Sequence, residues 1–244
     1  MRSLQILMPL GGLGSRFAQA GFDLPKPLIE VDGQPMFQKA LSSLVDIDVP
    51  KNYLFVIRQE HVDNQKLDEL IMRVLPEANV IIIPEVTRGA AETALAAKDQ
   101  LDPQAGLIVM DCDLWFKSSS YDQMVMDSLG GSSSISGGLI TFESSEPRYS
   151  YAEVGDNDMV VRTAEKVVIS THAITGAYYF ATAQDFIDSA EVLISRPVDE
   201  KMPEYYMSLL YNILINEGKR IQAAYVDEYA SFGTPEELAV YSKR

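Results

Sequence analysis

Three glycines and two cations near the start of the chain carry its clearest chemical signal. An apolar run at residues 4–10 reads as a buried strand. It empties into Gly11, Gly12, Leu13, Gly14, Ser15 and Arg16. Pro25-Lys26-Pro27 follows, and then a second apolar run at residues 28–31. Glycines let backbone N–H groups approach anionic oxygens, and the N-terminus of a following helix adds positive potential. Arg16 and Lys26 supply fixed charge. The group that suits this arrangement is a phosphate. Two other glycine loops do not fit. The dinucleotide fingerprint wants a third glycine three residues after Gly14, where the chain has Phe17. The P-loop wants Gly-Lys-Ser/Thr at its end, and here Gly14 is followed by Ser15-Arg16.

A second constellation is Asp111-Cys112-Asp113, just after an apolar run at residues 107–110. Carboxylates at the carboxyl end of a strand in an open α/β sheet lie where ligands bind. Alternate residues of an extended chain point the same way, so both carboxylates could reach one hard cation. Magnesium suits such a site, held by one or two carboxylates and by phosphate oxygens. The bland alternative is a pair of loop carboxylates capping the next turn. His61 and His172 have no neighbours at metal-ligand spacing.

Gly12-Leu13-Gly14-Ser15-Arg16 together with Pro25-Lys26-Pro27-Leu28 resembles the signature of the sugar nucleotidyltransferases, Gly-x-Gly-Ser/Thr-Arg followed by Pro-Lys-Pro. The resemblance implies that Leu10, Gly11, Gly12, Gly14 and Ser15 wrap the triphosphate of a nucleoside triphosphate, with Arg16 and Lys26 on the pyrophosphate that leaves. Asp113 matches the family's metal-binding aspartate, and Asp111 is a candidate assistant on Mg²⁺. Gly89-Ala90-Ala91 resembles the segment whose backbone touches the base. Glu85, upstream of it, is placed to read the base edge. A glutamate only accepts hydrogen bonds, which suits the amino groups of cytosine or guanine and favours CTP or GTP. The alternative for Glu85 is a solvated surface charge. Glu165-Lys166 resembles the pair that binds sugar hydroxyls and substrate phosphate, and Gly176 falls in the strand that follows.

The chain also departs from the family pattern. Val167 replaces a proline, Ser150 replaces the glycine after Tyr149, and Ser231 stands where the family carries a second metal-binding aspartate. The first two put the usual hexose 1-phosphates in doubt, and the third leaves the metal to Asp113 or to another carboxylate. The activity implied is nucleotidyl transfer to a phosphorylated sugar or sugar-like alcohol, Mg²⁺-dependent and releasing pyrophosphate, in nucleotide-sugar and polysaccharide biosynthesis. Two other readings compete. A glycosyltransferase would use a nucleotide sugar through Asp111-Cys112-Asp113, and a nucleotide-sensing module would bind without turnover.

These residues need a frame. Apolar runs at 53–57, 80–83 and 107–110 read as strands. The spacing predicts helices over 36–45, 62–75 and 90–101. Alternating strands and helices imply a parallel sheet with right-handed crossovers. Beyond residue 115 the pattern changes. Residues 118–120 and 130–134 read as polar and flexible; 134–141, 150–154, 159–162 and 176–181 read as strands. Helices are expected over 183–194, 205–216 and 235–241. Thr234-Pro235-Glu236-Glu237 supplies the last with a capping signature. The fold class expected is α/β: a Rossmann-like mixed, mostly parallel sheet flanked by helices, with antiparallel strands inserted in the second half. Residues 1–244 form one domain, with a nucleotide-binding half at 1–115 and a substrate-binding half at 116–244.

With 244 residues the chain has ample length for a core. Its formal net charge of −15 argues against nucleic acid or an anionic membrane as partner. An anionic substrate therefore needs a local basic pocket set against the global field. Cys112 is the only cysteine, so no internal disulfide forms. The first apolar run lacks a secretory pattern, and no run approaches the ~18 residues of a membrane span. The expectation is a soluble, cytoplasmic protein whose oligomeric state the sequence leaves open.

Overall fold

A computed structural model describes residues 2–198 and 203–243. The elements of the first half are β1 (Leu4–Leu10), α1 (Ser15–Gln19), β2 (Glu30–Val31), β3 (Gln34–Pro35), α2 (Met36–Leu41), β4 (Lys51–Arg58), α3 (Gln59–Gln65), α4 (Leu67–Val74), β5 (Asn79–Ile83), α5 (Ala90–Leu95) and β6 (Gly106–Met110). The second half contributes β7 (Leu114–Lys117), α6 (Ser119–Gly130), β8 (Gly137–Glu143), β9 (Ser150–Val154), β10 (Val160–Glu165) and β11 (His172–Phe180). It ends with α7 (Ala183–Ile194), α8 (Ser208–Asn216), β12 (Ile221–Tyr225), β13 (Glu228–Ser231) and α9 (Pro235–Tyr241).

Nine strands form one mixed sheet, and β1 lies between β4 and β6, parallel to both. β5 extends the parallel half at its edge. On the other side β11 pairs antiparallel with β6 and β8, and β12 adds parallel to β8. β9 and β10 form an antiparallel arm joined to β11 at Ala173. The halves therefore share a continuous sheet, joined at the β6–β11 ladder. The pleat sorts the buried side chains into two layers. Leu7, Val56 and Val109 face α5, α7 and α8, while Ile6, Met8, Phe55, Ile57, Ile108 and Met110 face α2, α4 and α6. Strands buried on both faces read as unbroken apolar runs, which is why β1, β4 and β6 were visible in the sequence.

Several elements differ from the sequence expectation. The periodic stretch 62–75 is two helices, because Lys66 takes φ 54° and breaks the turn between α3 and α4. The helices expected over 36–45 and 90–101 stop at Leu41 and Leu95, with short 3-10 turns downstream. Residues 119, 120 and 130, expected to be flexible, belong to a helix that also takes in 121–129, for which no element was expected. Ser118 Oγ accepts the Tyr121 N–H as N-cap, and Tyr121, Met124, Val125 and Leu129 are buried at helical spacing. The strand expected at 176–181 begins four residues earlier, at His172. Among the described residues no helix is long and apolar enough to cross a membrane.

Candidate active site

The carboxyl ends of β1 and β6 lie side by side because the strands are parallel neighbours. The loops that leave them, Gly11–Gly14 and Asp111–Asp113, form two walls of a cavity of about 640 Å³. Leu10, Gly11, Gly12 and Gly14 line it, with Lys26 packed beside Gly14. Gly89 and Ala90 close a third side. That side is tied to the segment before α8: Tyr205 N–H donates to Arg88 O at 2.9 Å, Ala91 N–H donates to Tyr205 O at 3.0 Å, and the Arg88 guanidinium lies 4.9 Å from the centre of the Tyr205 ring. Glu204, beside this contact, also lines the cavity.

A second cavity of about 230 Å³ continues from the first. Asp111, Asp113 and Ala90 line both. Its remaining walls hold Arg16, Arg148, Tyr149, Glu165, Gly176 and Glu237. Beyond Arg148, Tyr149, Tyr229 and Glu237 lies an outer aromatic cavity of about 610 Å³, which those residues also line.

At the junction the Lys26 ammonium donates to Asp113 Oδ2, joining the proline-flanked lysine to the end of β6. Burial pulls the lysine's pKa down, but the charge of Asp113, helped by Cys112, the hydrogen bond and Asp111, raises it overall. Lys26 is a permanent cation here. Asp111 is pushed up to about 7, first by burial, then by the charge of Asp113, with Lys26 opposing and Glu165 adding to the rise. Its N–H donates to Gly176 O at 2.9 Å. A Cβ on Gly176 would lie 2.7 Å from Asp111 Oδ2 and 2.9 Å from Leu114 Cδ2, and the residue has φ +105°. Only glycine lets β11 pass the aspartate so closely. The same residue sits in the register shift of the β11–β8 ladder between Ile174 and Tyr178.

Glu165, at the end of β10, accepts hydrogen bonds from Ser150 Oγ and, at 2.9 Å, from Ser208 Oγ. Burial raises its pKa against those two bonds. Glu237 is fixed from three sides. A terminal nitrogen of Arg148 forms an ion pair with its Oε1 at 2.8 Å, Tyr149 O–H donates to Oε1 at 3.2 Å, and Ser231 Oγ donates to Oε2 at 3.0 Å.

The structure thus brings Leu10, Gly11, Gly12, Gly14, Arg16, Lys26, Gly89, Ala90, Asp111, Asp113, Glu165 and Gly176 around two adjoining cavities. Three expected site residues stand apart. Ser15 is exposed on the first turn of α1 and lines neither cavity. Glu85 is exposed just past the edge strand β5, where Pro84 ends the ladder, and Val86 to Gly89 form the wall instead. The preference for CTP or GTP rested on Glu85 and has no support from its position. Lys166 has φ 55°, and its ammonium donates to Tyr206 O–H at 2.8 Å, so it reaches the cavity only through Tyr206. Sequence reasoning left out Arg148 and gave Glu237 only a capping part. The capping bond exists, Glu237 N–H to Thr234 Oγ1 at 3.2 Å, but the side chain is turned into the site. The one available signal was the position of Arg148 directly before Tyr149-Ser150.

Among the described residues no three His, Cys, Asp or Glu side chains gather as a metal cluster. Asp111 and Asp113 nevertheless suit a magnesium ion that takes its other ligands from phosphates. Burial first and then the charge of Asp113 raise the Asp111 pKa, and a divalent cation between the two carboxylates would offset both.

Comparison with known proteins points the same way. A family model described as nucleotidyl transferase matches residues 5–206. No curated protein matches the chain. Among solved structures, a nucleoside-diphosphate-sugar pyrophosphorylase from Vibrio cholerae RC9 superposes with a TM-score of 0.84 at 25% identity, over 98% of this chain and 100% of that one. The inositol-1-phosphate CTP transferase from T. maritima superposes with a TM-score of 0.73 at 16% identity, over 99% of this chain and 94% of that one, and shows the shared fold.

Proposed function

Since the chain belongs to the nucleotidyl transferase family, we propose that it joins a nucleoside triphosphate to a phosphorylated sugar or sugar-like alcohol and releases pyrophosphate. The observation that carries this reading is the pair of adjoining cavities meeting at Asp111 and Asp113, with Lys26 on the nucleotide side bound to Asp113. The first is walled by the glycine turn and takes the nucleotide. The second takes the acceptor. Their junction is where the α-phosphorus belongs.

An oxygen of the acceptor phosphate attacks the α-phosphorus in line. The bond from that phosphorus to the bridging oxygen of the β-phosphate breaks, and its electron pair leaves with pyrophosphate. No protein nucleophile is needed, so catalysis is positioning and charge neutralisation. Gly11, Gly12 and Gly14 present backbone to the triphosphate. Lys26, a cation at any working pH, neutralises charge on the leaving pyrophosphate. Arg16 faces the junction from the acceptor side. Glu165, anchored by two serines, accepts hydrogen bonds from acceptor hydroxyls. Asp113 and Asp111 would hold Mg²⁺, which supplies charge neutralisation at the phosphates when bound. The nucleobase is left to experiment, and surface polysaccharide synthesis is the setting the resemblance implies.

The test is pyrophosphate release with Mg²⁺ from each ribonucleoside triphosphate and dTTP, against a panel of phosphorylated sugars and alcohols. Release that requires one triphosphate and one phosphorylated acceptor supports the proposal. Tight binding of a nucleotide sugar with no release from any pair would favour glycosyl transfer instead.

A further inference from the structure

The acceptor cavity is short of positive charge for the ligand assigned to it. Its walls carry Asp111, Asp113, Glu165 and Glu237, against Arg16 and Arg148. A phosphate brought into such a place needs a cation on it. Lys26 is committed to the junction, and Arg16, on α1 just past the glycine turn, faces that junction from the acceptor side. Lys166 is turned onto Tyr206, its ammonium 4.5 Å from the ring centre, and lies outside the cavity. Arg148 is the cation of this cavity to which the transfer step gives no part.

Its present partners are two carboxylates. Nε pairs with Glu146 Oε2 at 2.7 Å and a terminal nitrogen with Glu237 Oε1 at 2.8 Å, while the guanidinium carbon lies 4.7 Å from the centre of the Tyr149 ring. The fork already spans two anionic oxygens, the pattern it would present to a phosphate. The arginine side chain is 41% exposed and Glu146 61%, so that outer pair is weak and exchanges readily, while Glu237 at 17% is the firmer partner. Glu237 is not orphaned by the exchange, because Ser231 and Tyr149 still donate to it. Direction is also right. Glu237 Oε2 and Asp113 Oδ2 lie 3.1 and 3.2 Å from one point, where a Cβ on Gly233 would sit. Glu237, the arginine's partner, therefore closes on the same Gly233 backbone as Asp113, beside the junction.

We propose that Arg148 binds the phosphate of the acceptor, and that Glu237 and Glu146 hold the guanidinium at the wall of the cavity until the acceptor arrives. Arg148 is a substrate-binding residue; Glu237 is a positioning residue that acts through it. The proposal rests on the nucleotidyl transfer reading above.

Initial rates of pyrophosphate release separate the two. At saturating nucleotide and varied acceptor, Arg148→Ala raises the acceptor KM by roughly 10- to 100-fold, the range for a lost charge-assisted pair. The nucleotide KM stays within about twofold, which also shows that the variant is folded. Arg148→Lys recovers part of the loss, since an ammonium keeps the charge but not the fork. Glu237→Gln lowers the acceptor KM, because the arginine is released from a competing carboxylate; a purely structural part for Glu237 would not produce that sign. Lys166→Ala changes the acceptor KM less than Arg148→Ala. An unchanged acceptor KM in Arg148→Ala, an equal rise in both KM values, or a larger loss in Lys166→Ala overturns the assignment alone. Wild-type protein that releases no pyrophosphate with any phosphorylated acceptor overturns the reaction itself, and the assignment with it.

Discussion

Replacing Gly176 by alanine tests how β11 passes the acid cluster. Two costs follow from the geometry. The residue has φ +105°, where an L side chain is strained by ~1–2 kcal/mol. The new methyl would lie 2.7 Å from Asp111 Oδ2 and 2.9 Å from Leu114 Cδ2, and overpacking of this kind costs ~1–3 kcal/mol. Together they predict a loss of roughly 2–5 kcal/mol, which for a chain of this size lowers Tm by on the order of 10 °C. Gly218→Ala isolates the first cost. Gly218 follows α8 with φ +78° and open space around its Cβ position, so only the backbone strain of ~1 kcal/mol applies. The assay is thermal and urea unfolding of both variants beside the wild type, followed by pyrophosphate release by the folded fraction. Gly176→Ala should lose the greater stability and also turnover, because Asp111 must move to make room. A Gly176→Ala protein no less stable than Gly218→Ala, with wild-type turnover, would refute the close approach on which the two-cavity site is built.

Other outcomes can be checked separately. Lys26→Ala should lose ~100-fold or more in kcat, the worth of a transition-state charge contact of ~3 kcal/mol, while circular dichroism reports an intact fold. Asp113→Asn should abolish Mg²⁺-dependent release, and Asp111→Asn should hurt less; titration of Mg²⁺ activation distinguishes this order from equal losses, which would mean equally shared metal. Asp122, buried in α6, is pushed up to about 6, by burial first and then by the charges of Asp46 and Asp227 against Lys51. A carboxyl raised in the folded state favours its neutral form. Its contribution is complete below about pH 4 and lost as pH rises through about 6. Asp122→Asn should therefore gain on wild type between pH 4 and 7 by roughly 3 kcal/mol, for about two units of pKa. Denaturant midpoints at both pH values measure this, and a constant offset between the proteins would contradict it.

What the sequence shows plainly is what neighbouring residues decide together. The glycine turn, Lys26 and the two aspartates follow strands buried on both faces, and such strands declare themselves as unbroken apolar runs. Parallel pairing of β1 with β6 then brings the two motifs to one end of the sheet. Contacts across the chain are hidden. Tyr149 meets Glu237 over 88 positions, and the place of Arg148 directly before Tyr149 does not announce that distant partner. Glu237 was legible as a capping residue because its N–H obeys a local rule, whereas its side chain answers to β13 and the 146–149 loop. The break at Lys66 escapes periodicity, since α3 and α4 keep one apolar pattern across a single left-handed residue. Helix α6 was obscured by serines at its start and glycines at its end, although its buried positions keep helical spacing. Glu85 is a case of correct neighbourhood and wrong direction: it belongs to the right loop but lies outside the cavity wall.

The central claim is that the α-phosphoryl group goes to a phosphorylated acceptor. The most direct measurement follows label from a nucleoside triphosphate carrying ³²P at the α position, incubated with Mg²⁺ and the acceptor panel. The account predicts that label appears in a nucleoside diphosphate linked to the acceptor, in step with unlabelled pyrophosphate, and only when both substrates are present. Label that stays in free nucleotide while inorganic phosphate accumulates, or that never leaves the triphosphate with any acceptor, would contradict it.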